Sequence, residues 1–157
     1  MTARILIVDD AAVNRLVLRH MLGAGPWELR FAEDGRGAVA AFEDERPALV
    51  LMDLAMPAMT GVEAARRMRM AEAAGARARV GIVAITASLD PATHASALAA
   101  GFDAVVTKPV AKDAILAIAR AAVPARTAAA PVDRTVAAPP FAAHTAWRAR
   151  EMQHSSS

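Results

Sequence analysis

The chain contains no cysteine, and this absence excludes several kinds of chemistry. Disulfide bonds, thiolate nucleophiles and cysteine-ligated zinc sites all require that residue. The four histidines, His20, His94, His144 and His154, are too widely spaced along the chain to indicate a metal cluster. Any metal site in this protein is therefore expected to use oxygen ligands.

Long apolar runs are also missing, although 55% of the residues are hydrophobic. No stretch reaches the roughly 18 consecutive apolar residues that a membrane span requires. The N-terminus runs from Arg4 directly into the short apolar stretch 5–8 and then into two aspartates, which is not the layout of a secretory signal. We therefore expect a cytoplasmic protein that makes no membrane contact.

A strong charge of one sign is absent too, because the formal net charge is only +2. Without a basic patch, nucleic acid is not a predicted partner. Composition changes after Val123, where alanine and proline become frequent and large apolar residues become rare. We predict one domain over residues 1–123 and a disordered C-terminal tail over residues 124–157.

Within residues 1–123, short apolar runs alternate with stretches of helical periodicity. The runs predict five strands, at residues 5–8, 27–31, 49–52, 82–85 and 104–106. The second run alternates apolar with charged residues and suits a sheet edge, whereas the third and fourth are apolar throughout and suit a buried centre. Five βα units with short connections predict an α/β fold with a doubly wound, parallel five-stranded sheet.

Helix boundaries support the same division of the chain. Val13, Leu16, Val17 and Met21 have the spacing of a helix after the first strand. Thr60 and Asp90 are predicted helix N-caps, the second of them followed by proline in the first turn. Three glycines are predicted to end helices: Gly23, Gly75 and Gly101.

Polar side chains that could carry chemistry follow four of the five strands. Asp9 and Asp10 follow the first strand, Asp53 ends the third, Thr86 ends the fourth and Lys108 follows the fifth. Because ligands bind at the carboxyl ends of such strands, these groups are expected to converge. Three carboxylates would repel one another unless a cation lay among them, and Mg2+ suits an all-oxygen site. A lysine and a threonine beside them could bind a transferred phosphoryl group.

Each of these residues also has an ordinary structural explanation. Asp9 or Asp10 could cap the first helix, Thr86 could be a β-branched strand end, and Lys108 could be a solvated surface charge. Asp53 is harder to explain in that way, because an ionised carboxylate on an otherwise apolar strand is costly without a partner. The combination therefore favours a functional site.

Four segments give the chain a family resemblance. Ile7-Val8-Asp9-Asp10, the segment from Met52 to Gly61, Thr86-Ala87 and Thr107-Lys108-Pro109 resemble the receiver domains of response regulators in two-component signalling. The continuation from Ala11 to Arg15 is similar to receivers of hybrid histidine kinases and phosphorelays. The resemblance implies the flavodoxin-like strand order 2-1-3-4-5 and a cis bond between Lys108 and Pro109.

The resemblance also implies a role for each site residue. Asp53 would be the phosphoacceptor, and Thr86 and Lys108 would contact the phosphoryl group. Mg2+ would be the cofactor, held by the carboxylates named above and by one backbone oxygen: Asp9, Asp10, Asp53 and the carbonyl of Ala55. Such a protein assists its own phosphorylation and dephosphorylation but is not otherwise an enzyme.

The expected partners are proteins. A sensor histidine kinase or a histidine phosphotransfer protein would donate the phosphoryl group, and the downstream target stays open. The face built from the fourth helix, fifth strand and fifth helix is expected to carry the signal and to support a weak homodimer. Val105 stands where the family often has an aromatic residue, so signalling through an aromatic side chain is in doubt.

Other functions fit the sequence less well. A hydrolase that forms an aspartyl phosphate typically has a second aspartate two residues after its nucleophile, where this chain has Ala55. A flavin-binding protein of this topology would need a phosphate-binding loop in place of Asp9-Asp10-Ala11-Ala12. The remaining alternative is a receiver-like module that binds proteins without being phosphorylated.

Overall fold

The computed structural model describes residues 2–123, and the predicted tail at 124–157 lies outside the described residues. Five strands alternate with five helices. The strands are β1 (Arg4–Val8), β2 (Glu28–Ala32), β3 (Leu49–Asp53), β4 (Gly81–Thr86) and β5 (Ala104–Thr107). The helices are α1 (Ala12–Leu22), α2 (Gly35–Glu45), α3 (Gly61–Ala74), α4 (Pro91–Ala100) and α5 (Lys112–Ala122).

The strands form one parallel sheet in the order β2-β1-β3-β4-β5, which confirms the predicted fold. β3 and β4 lie inside the sheet and every residue in them is buried, as their unbroken apolar sequences predicted. β2, with its alternating charges, lies at an edge. None of the helices in residues 2–123 is both long and apolar enough to cross a membrane.

Helices cover both faces of the sheet because successive strand residues point to opposite sides. Ile5, Leu49 and Leu51 pack on the side covered by α1 and α5. Leu6 and Val50 pack on the other side, which α2, α3 and α4 cover. The two apolar clusters hold the sheet between them and leave its carboxyl edge to the connecting loops.

The predicted caps of α3 and α4 are confirmed. The Thr60 hydroxyl accepts a hydrogen bond from the Glu63 N–H at 3.2 Å, and the Asp90 carboxylate accepts one from the Ala92 N–H at 3.1 Å. The predicted glycines at 23, 75 and 101 stand at the C-termini of α1, α3 and α4. Gly101 has φ +117°, a conformation that favours glycine.

The structure differs from the sequence prediction in the ends of the strands and in the outer face of α1. Each strand differs from its predicted range by one residue at one or both ends, and β2, predicted at 27–31, runs from Glu28 to Ala32, where its pairing with β1 begins and ends. Trp27, just before β2, is buried, and its indole N–H donates to the Leu22 carbonyl at 2.8 Å. Of the four residues with helical spacing in α1, Val13, Leu16 and Val17 are exposed, by 64%, 61% and 46%, whereas Met21 packs against the sheet. Other apolar residues of α1, chiefly Leu18 and Leu22, also pack against the sheet.

A cluster of buried charges joins α3 to the amino-terminal end of β4. Arg69 pairs with Glu72 and with Asp103, each at 2.8 Å, and Arg79 also pairs with Asp103 at 2.8 Å. Asp103 also accepts a hydrogen bond from the Ile82 N–H, and Glu72 accepts one from the Val80 N–H. Because each carboxylate has cationic and N–H partners, this cluster is a structural connection.

Candidate functional site

The three predicted aspartates meet at the carboxyl edge of the sheet. β1 and β3 are neighbours, with Val8 paired to Met52, so the residues that follow them emerge side by side. Carboxylate oxygens of Asp9, Asp10 and Asp53 lie within 4.8 Å of one another. Asp9 and Asp53 are 3% and 8% exposed, whereas Asp10 is exposed to solvent.

Lys108, the residue after β5, also reaches this cluster. Its Nζ lies 3.6 Å from the Asp9 Oδ2 and 3.6 Å from the Asp53 Oδ2. A backbone hydrogen bond holds Lys108 in place: its N–H donates to the Thr86 carbonyl at 2.8 Å. This bond follows directly on the last residue pair of β4 and β5, Thr86 with Thr107. The Lys108–Pro109 peptide bond is cis, as the resemblance implied.

Thr86 is the last residue of β4 and is 4% exposed. Asp53, at the end of β3, is paired with Ile85 of β4. Thr86 is the next residue along β4, so it lies next to Asp53 at the carboxyl edge of the sheet. The Thr86 Oγ1 accepts a hydrogen bond from the Ser88 N–H at 3.1 Å. The structure therefore brings the predicted aspartates, threonine and lysine to one edge of the sheet.

The backbone after Asp53 turns tightly beneath the site. The Asp53 Oδ1 accepts a hydrogen bond from the Ala55 N–H at 3.2 Å, and the Gly61 N–H donates to the Leu54 carbonyl at 3.1 Å. A Cβ at position 61 would overlap the Asp53 carbonyl oxygen and lie 2.9 Å from the Leu54 Cα. Glycine is thus required where α3 begins against the backbone of Asp53.

Arg15 supports the first aspartate in a way that the residue pattern did not predict. Its guanidinium donates to the Asp9 carbonyl at 2.6 Å and lies 3.7 Å from Glu33. The Asp9 carboxylate accepts a hydrogen bond from the Ala11 N–H at 2.9 Å. Ala11 is itself the N-cap of α1 and makes no side-chain cap, so neither aspartate has the capping role considered above.

Burial raises the pKa of the Asp53 carboxyl above its ordinary value, and the neighbouring Asp9 and Asp10 raise it further. The Ala55 N–H bond and the Lys108 ammonium oppose this and lower the pKa, but they do not cancel it. Asp53 therefore carries its negative charge at a cost. A cation placed among the three carboxylates would remove much of that cost.

The donor set fits a hard divalent cation. Among residues 2–123, the three aspartates are the one group of at least three potential ligands whose oxygens come close enough to share a metal ion. All are carboxylates, the ligands that Mg2+ prefers, and the exposed Asp10 leaves the group open to water.

A five-stranded parallel sheet in this order, with acidic groups at its carboxyl edge, defines a flavodoxin-like receiver fold. The family model described as "Response regulator receiver domain" matches residues 5–120. The chain belongs to this family and is a receiver domain of the kind found in two-component systems. Such domains are signalling modules and not enzymes in the usual sense.

Curated relatives include both sensors and regulators. The chain is 36% identical to the virulence sensor protein BvgS of Bordetella pertussis, a match covering 77% of this chain and 10% of BvgS. It is 33% identical to the response regulator MprA of Mycolicibacterium vanbaalenii, covering 77% of this chain and 50% of MprA. The chain thus spans half or less of these relatives.

Solved structures agree with the family. The receiver domain of sensor histidine kinase PA1611 from Pseudomonas aeruginosa, which has magnesium coordinated in its active-site cleft, matches with TM-score 0.69 and 29% identity over 78% of this chain and 98% of that one. The structure of the Saccharomyces cerevisiae phosphotransfer protein Ypd1 with the receiver domain of Ssk1 matches with TM-score 0.72 and 29% identity, over 78% and 89%.

The raised pKa of Asp53 predicts how an Asp53→Asn variant behaves in metal-free buffer. Folding raises this pKa, so the native state holds the Asp53 proton more tightly than the unfolded chain, and stability is lost as pH rises from the ordinary carboxyl pKa through the raised one. Asparagine does not ionise, so the free energy of unfolding of the variant does not fall over this pH range. Chemical denaturation at pH 7 should therefore show Asp53→Asn to be the more stable protein.

The stability difference should shrink as the pH falls below the ordinary carboxyl pKa, where both proteins are neutral at position 53. Asp44→Asn, at an exposed position on α2, provides a matched control and should show no comparable gain. Equal stability of wild type and Asp53→Asn at every pH would show that Asp53 ionises without cost.

Proposed function

We propose that Asp53 is the phosphoacceptor of this receiver domain and takes a phosphoryl group from a phosphorylated histidine of a partner protein. The observation that carries the proposal is the position of Asp53. Its carboxylate is buried, its Oδ2 lies 3.6 Å from the Lys108 Nζ, and two further carboxylates adjoin it at the carboxyl edge of the sheet. The raised pKa means that its ionised form is poorly satisfied before transfer.

In the proposed reaction, an Asp53 carboxylate oxygen attacks the phosphorus of phosphohistidine. An oxygen–phosphorus bond forms while the phosphorus–nitrogen bond breaks, and the histidine nitrogen leaves with the electron pair and takes a proton. The Lys108 ammonium can balance the negative charge of the phosphoryl oxygens. The Thr86 hydroxyl, which already accepts from Ser88, keeps its own proton to donate to a phosphoryl oxygen.

Mg2+ is the proposed cofactor, held by Asp9, Asp10 and Asp53 with the Ala55 carbonyl as the expected backbone ligand. When bound, it supplies positive charge that offsets repulsion between the carboxylates and an incoming phosphoryl group. Two observations support this assignment: the grouping of the three carboxylates and the magnesium in the cleft of the Pseudomonas aeruginosa receiver. Arg15, by bonding the Asp9 carbonyl, would keep the first ligand in place.

We further propose that the phosphodonor protein docks on α1. Val13, Leu16 and Val17 are exposed there, and Val17 also lines a groove of about 390 Å³ that runs from α1 to the loop after β5, with Val13 and Leu16 outside the groove on the same helix. Asp9 and Lys108 line the same groove, so a partner seated on this apolar surface would bring its histidine to the phosphoacceptor site. The complex of a phosphotransfer protein with a receiver supports a partner of this kind.

The output is proposed to pass through the face of α4, β5 and α5 to a protein target, with the chain acting in the cytoplasm. The weak homodimer through that face stays a prediction. The alternative, a protein-binding module that is never phosphorylated, is less favoured because the acidic residues, the threonine and the lysine all meet at one edge. The two functions are separated by a single measurement of covalent modification.

Incubation with Mg2+ and acetyl phosphate should add one phosphoryl group to the wild-type chain and none to Asp53→Asn. The asparagine side chain is nearly isosteric but is not an adequate nucleophile. Intact-mass spectrometry measures both proteins. Asp44→Asn, exposed on α2, is the control and should be modified like the wild type. An adduct on Asp53→Asn would show that another residue accepts the group.

Asp10→Ala should weaken Mg2+ binding by at least about tenfold, because the ion would lose a charged ligand that water replaces poorly. Isothermal titration calorimetry of the unphosphorylated protein measures the affinity directly. Asp44→Ala removes an exposed carboxylate from α2 and should leave the affinity unchanged. Equal affinities of wild type and Asp10→Ala would contradict the ligand assignment.

Leu16→Asp should slow phosphoryl transfer from a phosphorylated histidine phosphotransfer protein by about tenfold, because a charge would be placed in an apolar contact. The donor used is one first shown to phosphorylate the wild-type chain. Met70→Asp alters a residue on α3 that is also exposed, by 71%, and is the matched control. Labelling by acetyl phosphate should be the same for all three proteins, and an undiminished transfer rate in Leu16→Asp would refute docking on α1.

A further inference from the structure

In the loop between β4 and α4, Ser88 makes hydrogen bonds both to Thr86 and to α4. The Ser88 N–H donates to the Thr86 Oγ1 at 3.1 Å, and the Ser88 carbonyl accepts from the His94 Nε2 at 2.7 Å. One peptide segment thus has a contact to the candidate site on one side and a contact to α4 on the other. Both Ser88 and His94 are half-buried.

His94 is well placed to hold this loop. It lies in the first turn of α4, where its own N–H donates to the Asp90 carbonyl at 3.2 Å. The Asp90 carboxylate caps the helix through the Ala92 N–H, so the turn that carries His94 is fixed. Because a carbonyl oxygen only accepts, the His94 Nε2 carries the proton, in either the neutral or the cationic ring. The imidazole is therefore the donor and the Ser88 carbonyl the acceptor in this contact.

Val105 cannot replace the hydrogen bonds that connect Thr86 to α4. Val105 on β5 is paired with Ala84 and has an aliphatic side chain, which neither donates nor accepts a hydrogen bond. Apart from His94 itself, α4 contains no acidic or basic residue that could respond to charge at the site. From Thr86, hydrogen bonds through Ser88 reach the start of α4 at two points: the Ser88 carbonyl accepts from His94, and the Ser88 hydroxyl accepts from the N–H of the N-cap Asp90 at 3.2 Å. Of these two, the His94 bond is the one made by a side chain of the helix itself.

We propose that His94 is a positioning residue that couples Thr86 to α4 through the Ser88 peptide segment. If Thr86 turns toward a phosphoryl group on Asp53, Ser88 loses or changes its N–H bond, and its carbonyl transmits the change to the imidazole of His94. This inference rests on the proposed phosphorylation of Asp53. The contact itself, however, exists in the unphosphorylated protein and is tested there independently.

The first experiment compares wild type, His94→Ala and His94→Gln by amide NMR before and after phosphorylation with acetyl phosphate and Mg2+. His94→Ala should acquire the phosphoryl group to the wild-type extent but lose most of the shift changes at residues 95–100. The glutamine amide can replace the Nε2 donor, so His94→Gln should restore those changes. Alanine favours helix more than histidine does, so α4 itself is not weakened by the substitution.

Ser96→Ala, at an exposed position of α4, controls for substitution within the helix and should behave as wild type. Shift changes of wild-type size at residues 95–100 in phosphorylated His94→Ala would overturn the proposal. Failure of every protein to acquire a phosphoryl group would instead overturn the proposed function. The second experiment then decides the coupling by itself.

The second experiment uses Thr86→Val without phosphorylation, which removes the acceptor of the Ser88 N–H. Hydrogen exchange at Ser88 should accelerate about 2- to 10-fold, the factor expected from the loss of one hydrogen bond. The imidazole 15N signal of His94 should shift as well, and neither effect should occur in Ser96→Ala. An unchanged His94 signal in Thr86→Val would show that the two side chains are not coupled.

Discussion

Asp9, Asp10 and Asp53 bring their carboxylate oxygens within 4.8 Å of one another, and Lys108 is the cation that approaches two of them, at 3.6 Å. Three negative charges and one positive charge leave this edge of the sheet short of positive charge. The parallel sheet imposes the arrangement, because β1, β3 and β5 all end there. The raised pKa of Asp53 is the electrostatic result, and a cation placed among the three carboxylates would offset it.

The second cluster of buried charges shows what a satisfied arrangement looks like in the same fold. Glu72 and Asp103 face Arg69 at 2.8 Å, and each accepts a backbone N–H as well. That cluster connects α3 to β4 and leaves no deficit of positive charge for a ligand to fill. The two clusters use the same chemical groups, and the number of their partners separates a structural connection from a site.

The five strands and the caps at Thr60 and Asp90 could be predicted from residue patterns, because strand periodicity and cap chemistry are local properties. The strand order is not local and could be predicted only from the resemblance to receiver domains. The outward face of α1 could not, because the helix carries two apolar stripes and periodicity alone does not tell which one meets the sheet. Leu18 and Leu22 do so, whereas Leu16 is 61% exposed. The contact of His94 with Ser88 depends on side-chain orientation across a loop, for which the sequence holds no local signal.

The most direct measurement of the central claim is chemical location of the phosphoryl group on the wild-type chain. Borohydride reduces an aspartyl phosphate to homoserine, and peptide mass spectrometry then identifies the modified position. After treatment with Mg2+ and acetyl phosphate, the account predicts homoserine at position 53 and at no other acidic position. Homoserine at another position, or its absence from a protein that carries a phosphoryl group, would contradict the assignment of Asp53.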